Sequence, residues 1–124
     1  MRLFKSKAFA RFARSQHITE DDLCEAIERA ERGLIDADLG GYVMKQRIAR
    51  DGEGKSGGFR SIIFFKSGDK AIFVHGFEKS AKANLATDEL KAYKAAAKII
   101  LKHSDEQMNV AVASGAYVEV KQRK

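Results

Sequence analysis

The residues with the most chemical potential lie close together. Lys45, Arg47, Arg50, Lys55 and Arg60 fall within sixteen positions, against only Asp51 and Glu53. In their midst is "DGEGKSGGF" (51–59), whose Gly-Lys-Ser invites comparison with a loop that wraps the phosphates of a nucleotide. Such a loop needs a glycine, four residues, then Gly-Lys-Ser/Thr, with a strand before it and a helix after it. Here the first glycine position is Ala49, and "GGFR" runs into an apolar segment that reads as a strand. No helix N-terminus then faces the phosphates, so spacing and context both exclude the nucleotide loop. A plain hairpin connection accounts for the glycines, with Gly57-Gly58 letting the chain reverse. It does not account for the cations.

Those cations need elements to position them. "YVMKQRIAR" (42–50) has a period of two, with Val43, Lys45, Arg47 and Ala49 on one face and Tyr42, Met44, Gln46 and Ile48 on the other. Arg60, opening the strand "FRSIIFFK", joins Lys45 and Arg47 if the register allows. A face sealed by a helix would be apolar, so a Lys/Arg pair there predicts an open, positive surface. "SGD" (67–69) is a tight turn into a third strand, "KAIFVHGF" (70–77), which completes an antiparallel meander. His75 alternates with Phe73 and Phe77 and is expected to be half-buried.

On either side of the meander the period is helical. Ala8, Phe9, Phe12 and Ala13 share one face of a helix over 6–16. Thr19 and Asp22 form a capping box for a second helix, with Leu23, Ala26, Ile27 and Ala30 inward and Gly33 as its stop. Thr87 is expected to cap a helix to about Leu101, with Leu90, Tyr93, Ala97, Ile100 and Leu101 inward. Ser104 to Gln107 starts a shorter helix, and "YVEV" (117–120) adds an edge strand. The pattern predicts one α+β domain of 124 residues: a helical pair over 1–33, the meander over 42–78, and helices with an edge strand over 87–120.

Composition narrows the class. The net charge of +6 favours an anionic partner. A single cysteine, Cys24, forms no internal disulfide, and with three scattered histidines it makes no metal-ligand pattern. With no apolar run near the roughly 20 residues that span a bilayer, and no secretory signal, a cytoplasmic protein without a membrane role is expected.

"RIARDGEGKSGGFR" and "VHGFEKSAKAN", within "GLIDADLGGYVMKQRIARDGEGKSGGFRSIIFFKSGDKAIFVHGFEKSAKAN", resemble the RelE/ParE superfamily of bacterial type II toxins, in its RelE-like, HigB-related branch. The resemblance covers roughly residues 1–115. It implies two N-terminal helices packed on a twisted antiparallel sheet. It also implies an mRNA endonuclease (an mRNA interferase) that blocks translation, usually at the ribosome, and a co-expressed antitoxin, typically a helix-turn-helix protein.

Metal-free RNA cleavage needs a base for the 2′-hydroxyl, cations for the phosphorane charge and an acid for the leaving 5′-oxygen. No cofactor is needed, and crowded cations can lower a lysine pKa enough for proton transfer. The resemblance carries Lys45 and Arg47 onto the family's basic pair, Arg60 onto its phosphate-gripping arginine and Lys79 onto the basic residue after the third strand. Arg60 would stabilise transition-state charge, and Lys45 or Lys79 would transfer the proton. Arg50 and Lys55 would meet flanking phosphates, with Phe77 stacking on a base and His75 beside it. The chain departs from the best-studied members in one respect: "SAKANLATDEL" lacks their catalytic tyrosine. Two other functions fit the scaffold, a ParE-like inhibitor of DNA gyrase and a non-catalytic basic module that binds nucleic acid or protein.

Overall fold

The computed structural model describes residues 1–50, 54–78 and 86–122, with the backbone alone described at 50 and 54–57. The elements run β1 (Arg2–Ser6), α1 (Lys7–Ser15), α2 (Glu20–Glu31), β2 (Ala37–Gly40), β3 (Val43–Arg50), β4 (Gly54–Lys66), β5 (Lys70–Glu78), α3 (Thr87–Ile100), α4 (Asp105–Ala113) and β6 (Tyr117–Val120). They build the expected α+β architecture around a six-stranded sheet in the order β2-β3-β4-β5-β1-β6.

The meander β3-β4-β5 is antiparallel as expected, and β6 is an edge strand. The sheet as a whole is mixed, because β1 pairs parallel with β5 and antiparallel with β6. Neither β1 nor β2 was expected. In β1 the neighbours Leu3 and Phe4 are both buried, 1% and 0% exposed, because helices cover both faces of the sheet. A strand buried on both sides loses its alternation, so five residues running into a helix carry no period-two signal.

The two faces hold separate cores. Leu3, Met44, Ile48, Phe59, Ile63 and Phe73 pack against α1 and α2. Phe4, Val43, Ile62, Phe64 and Ile72 pack against α3 and α4 through Ala97, Ile100, Leu101 and Met108. The helix starts follow the sequence closely. Ser6 Oγ accepts from the Phe9 N–H at 3.1 Å, and the Thr19/Asp22 and Ser104/Gln107 boxes both close. At α3 the cap is Ala86 and not Thr87. Glu89 Oε1 accepts the Ala86 N–H at 3.2 Å, satisfying the donor that a capping hydroxyl leaves open. In α1 the buried small residues are Ala10 and Ala13, while Ala8 faces solvent.

The glycine-rich run is mostly strand. β4 begins at Gly54, and Arg50 pairs with Gly54 after a register shift beyond Ile48. Gly58 therefore does not reverse the chain. A Cβ there would lie 2.6 Å from the Ile48 carbonyl oxygen, so glycine permits close backbone approach inside the ladder.

Candidate functional site

On the face that carries α3 and α4, strand register arranges the side chains in rows. The first row, Val43–Phe64–Ile72–Phe4, is apolar and lies in the core with α3 and α4. Two residues further along β3, the row reads Lys45–Ile62–His75. Two residues beyond that it reads Arg47–Arg60–Phe77. Lys45, Arg47 and Arg60 thus share one face, as alternation predicted. They are half-buried, neither fully open nor sealed under aliphatic residues.

Arg47 and Arg60 are direct cross-strand partners. Such pairs hold their Cβ atoms about 4.5–5.5 Å apart, and like charges there are destabilising. Arg60 Nη1 is also buried and makes no hydrogen bond among the described residues. A buried cationic donor without an acceptor costs on the order of 1–3 kcal/mol. Together these features set two guanidinium groups side by side, an arrangement suited to the oxygens of a phosphate.

His75 corrects an expectation. It is exposed, and it shares the site face with Phe77 while Phe73 lies in the opposite core. The cause is a bulge: Ile62 pairs with His75 but Ile63 with Phe73, so Val74 is an extra residue that breaks the alternation. The rings of His75 and Phe77 stack at 5.8 Å between centroids and 30° between planes, forming a flat aromatic surface beside Arg60. Of the remaining expected site residues, Arg50 and Lys55 belong by backbone to β3 and β4. Lys79 lies outside the described residues.

Behind the patch, two features went unread in the sequence. Gln46, 0% exposed, donates to the carbonyls of Ala26 and Leu34, both at 3.0 Å, and accepts the Asp36 N–H at 2.9 Å. It ties β3 to the middle of α2 and to the chain leading into β2. At Arg47, which lies beyond the last β2 pair, side chains take the place of a neighbouring strand. The Arg47 N–H donates to Asp36 Oδ2, and its carbonyl accepts from Arg29 Nη2. Arg29 is held in turn by Glu25 at 2.8 Å. This clamp fixes the backbone that carries Arg47. Its parts come from a helix flank and a loop, where sequence spacing gives no sign of a shared target.

A family model described as "RelE toxin of RelE / RelB toxin-antitoxin system" matches residues 1–120. The chain belongs to the RelE toxin family, and membership implies a cognate antitoxin. Among curated proteins none matches it. No helix among the described residues is long and apolar enough to cross a membrane.

Proposed function

We propose that this toxin is a metal-independent endoribonuclease that cuts mRNA, acting on ribosome-bound message in the cytoplasm. In the same reading it belongs to the HigB-related branch and is restrained by a helix-turn-helix antitoxin. The observation that carries the reading is the Arg47–Arg60 pair, with an Arg60 Nη1 that finds no acceptor among the described residues, a local cost that a bound phosphate would offset.

In this mechanism the RNA phosphodiester sits between Arg47 and Arg60. The 2′-oxygen attacks phosphorus as its proton leaves to a base, Lys45 or Lys79. The P–O5′ bond breaks and the 5′-oxygen takes up a proton. The products are a 2′,3′-cyclic phosphate and a 5′-hydroxyl. Arg60 binds the equatorial oxygens as their charge grows, and Arg50 and Lys55 meet flanking phosphates. The His75–Phe77 surface supports a neighbouring base by stacking. Phe77 offers a ring but no hydroxyl, so all proton transfer falls to cations.

The test is purified toxin incubated with mRNA-programmed ribosomes, with the new 3′ ends mapped and their chemistry determined. Cyclic phosphate ends are expected, and Arg60→Ala is expected to lower the cleavage rate by about 10²–10³-fold, the usual cost of one transition-state donor. Intact mRNA accompanied by loss of gyrase supercoiling would sink this reading in favour of a ParE-like one.

A further inference from the structure

A second cationic site lies at the other end of the same face. A cleft of about 410 Å³ opens where the β2–β3 connection meets α3, with Tyr42 and Lys66 on the sheet side and Lys94, Lys98 and Lys102 on the helix side. Its floor is apolar, formed by Ala97 and Leu101. Lys94 and Lys98 stand four positions apart on α3, so their Cβ atoms lie about 5–6 Å apart, and Lys102 follows in the turn after the helix. Among the described residues none of the three has an ion-pair partner, and no carboxylate lines the cleft. Among the described residues Lys66 reaches only Asp69, at 3.8 Å.

Tyr42 is the second, independent sign. It holds φ at +65°, a conformation that favours glycine, and its side chain is 60% exposed. Gly41 and Tyr42 are the two central residues of the tight β2–β3 hairpin, which requires positive φ at both. The turn accounts for the backbone of Tyr42 but not for an exposed aromatic ring where asparagine or glycine is the usual choice. The left-handed turn sets an aromatic surface at the mouth of a lysine-lined recess.

We propose that this cleft is an accessory site for single-stranded RNA, in which the lysine ridge holds phosphates and Tyr42 stacks on a base. An aromatic face beside unpaired ammonium groups is the chemistry of sequence-tolerant single-strand binding. An acidic amphipathic helix fits less well, since its i, i+3, i+4, i+7 anchors need a longer apolar groove than two floor residues provide. Tyr42 stands five residues before Arg47, about 17 Å along an extended strand, so nucleotides flanking RNA at the arginine pair can reach the cleft. The inference rests on the RNA reading of the main site and adds a separate subsite to it.

The experiment measures binding of a labelled oligouridine of about 12 nucleotides, within the usual range for such grooves, across a salt series. Lys98→Glu/Lys102→Glu is expected to weaken binding at least tenfold and to flatten the log–log salt slope by about 1.4, two single-strand phosphates at roughly 0.7 each. Tyr42→Ala is expected to weaken binding about tenfold with an unchanged slope. The control is Arg11→Glu/Arg14→Glu, exposed positions on α1 across the sheet. An equal loss in the control overturns the proposal, because net charge alone would then explain it. Wild-type affinity and slope in both cleft variants also overturn it, and if those variants instead escape antitoxin neutralisation the cleft belongs to a protein. Either result leaves the nuclease reading standing while Arg60→Ala still loses cleavage; if Arg60→Ala cleaves normally, the main-site reading fails separately.

Discussion

Arg2 on β1 and Arg60 on β4 project from the same face of the sheet, and both are partly covered, yet their company differs. Arg2 Nε and Nη2 donate to the two oxygens of Glu119, each at 2.8 Å, and Nη2 also reaches Asn109 Oδ1 at 2.8 Å. Asp105 Oδ1 lies 3.3 Å from Nη1, and the guanidinium stands 5.0 Å over the Phe4 ring. These contacts join β1 to β6 and α4, and the hydrogen bond to Glu119 is the main reason the Arg2 pKa is pushed up. Arg60 faces Arg47 on one side and Phe77 on the other, and keeps a buried donor unused among the described residues. The difference separates a guanidinium that holds the fold together from one the fold tolerates at a cost. Local disagreement of this kind tends to collect where a protein binds its ligand.

The sharpest way to break the comparison is to make both arginines apolar. Arg60→Leu should lower cleavage by about 10²–10³-fold and yet raise thermal stability, by roughly 1 kcal/mol, because a like-charge contact and a buried unsatisfied donor both disappear. Cleavage assays and melting curves on the one variant check both halves. A fall in stability would mean that Arg60 serves the fold as Arg2 does.

Gln46 offers a second contrast, a polar side chain behind the patch whose hydrogen bonds run to three points of the scaffold. Gln46→Leu keeps the approximate volume but strands the Asp36 N–H and takes a donor from the carbonyls of Leu34 and Ala26, the second of which keeps its helical partner. Chemical denaturation is expected to show a loss of about 3 kcal/mol, since each stranded buried group costs on the order of 1–3. A loss under about 1 kcal/mol would show that water or relaxation satisfies those groups and that the knot does not brace β3.

How far the sequence reached follows from the same contrast. Periodicity located Lys45, Arg47 and Arg60 on one face because β3 and β4 stay in regular register from the Val43–Phe64 pair to the Ile48–Phe59 pair. It misjudged His75 because a single extra residue, Val74, flips the phase, and a bulge has no signature in "IFVHGF". Capping boxes were legible because their partners lie three residues apart. The Arg29–Asp36 clamp and the Tyr42–lysine cleft were not, since each joins residues from separate elements whose meeting depends on tertiary packing. The lysine ridge on α3 was visible as spacing, but spacing alone reads as a solvated face.

Arg2→Leu gives the counterpart to Arg60→Leu. Cleavage should stay at the wild-type rate while stability falls by about 1 kcal/mol, with Glu119 and Asp105 left without their cation. The figure is kept small because those carboxylates are 38% and 80% exposed, and water screens such pairs. Unfolding curves and the ribosome cleavage assay, run side by side, check it. A loss of cleavage at full fold occupancy would place Arg2 with the functional arginines.

The smallest expected effect is the pH dependence of Glu119. The hydrogen bond from Arg2 holds the Glu119 carboxyl below its ordinary value of 4.5, with burial opposing and the charge of Arg2 assisting. In the unfolded chain that hold is absent. The folded state therefore binds fewer protons at this group, and its contribution to stability is full above the ordinary glutamate range. The contribution declines as pH falls toward the folded value and is gone below it. Glu119→Gln removes the titration while keeping a side chain of similar shape. At neutral pH the variant should be less stable than wild type by under about 1 kcal/mol, because the glutamate is more than a third exposed. That gap should hold down to about pH 5 and close as acid protonates the wild-type carboxyl. Paired urea titrations between pH 7 and pH 3 measure it. A gap that widens in acid would reverse the sign required of a carboxylate stabilised by its arginine, and would remove the ground for treating Arg2 as the fully partnered member of the pair.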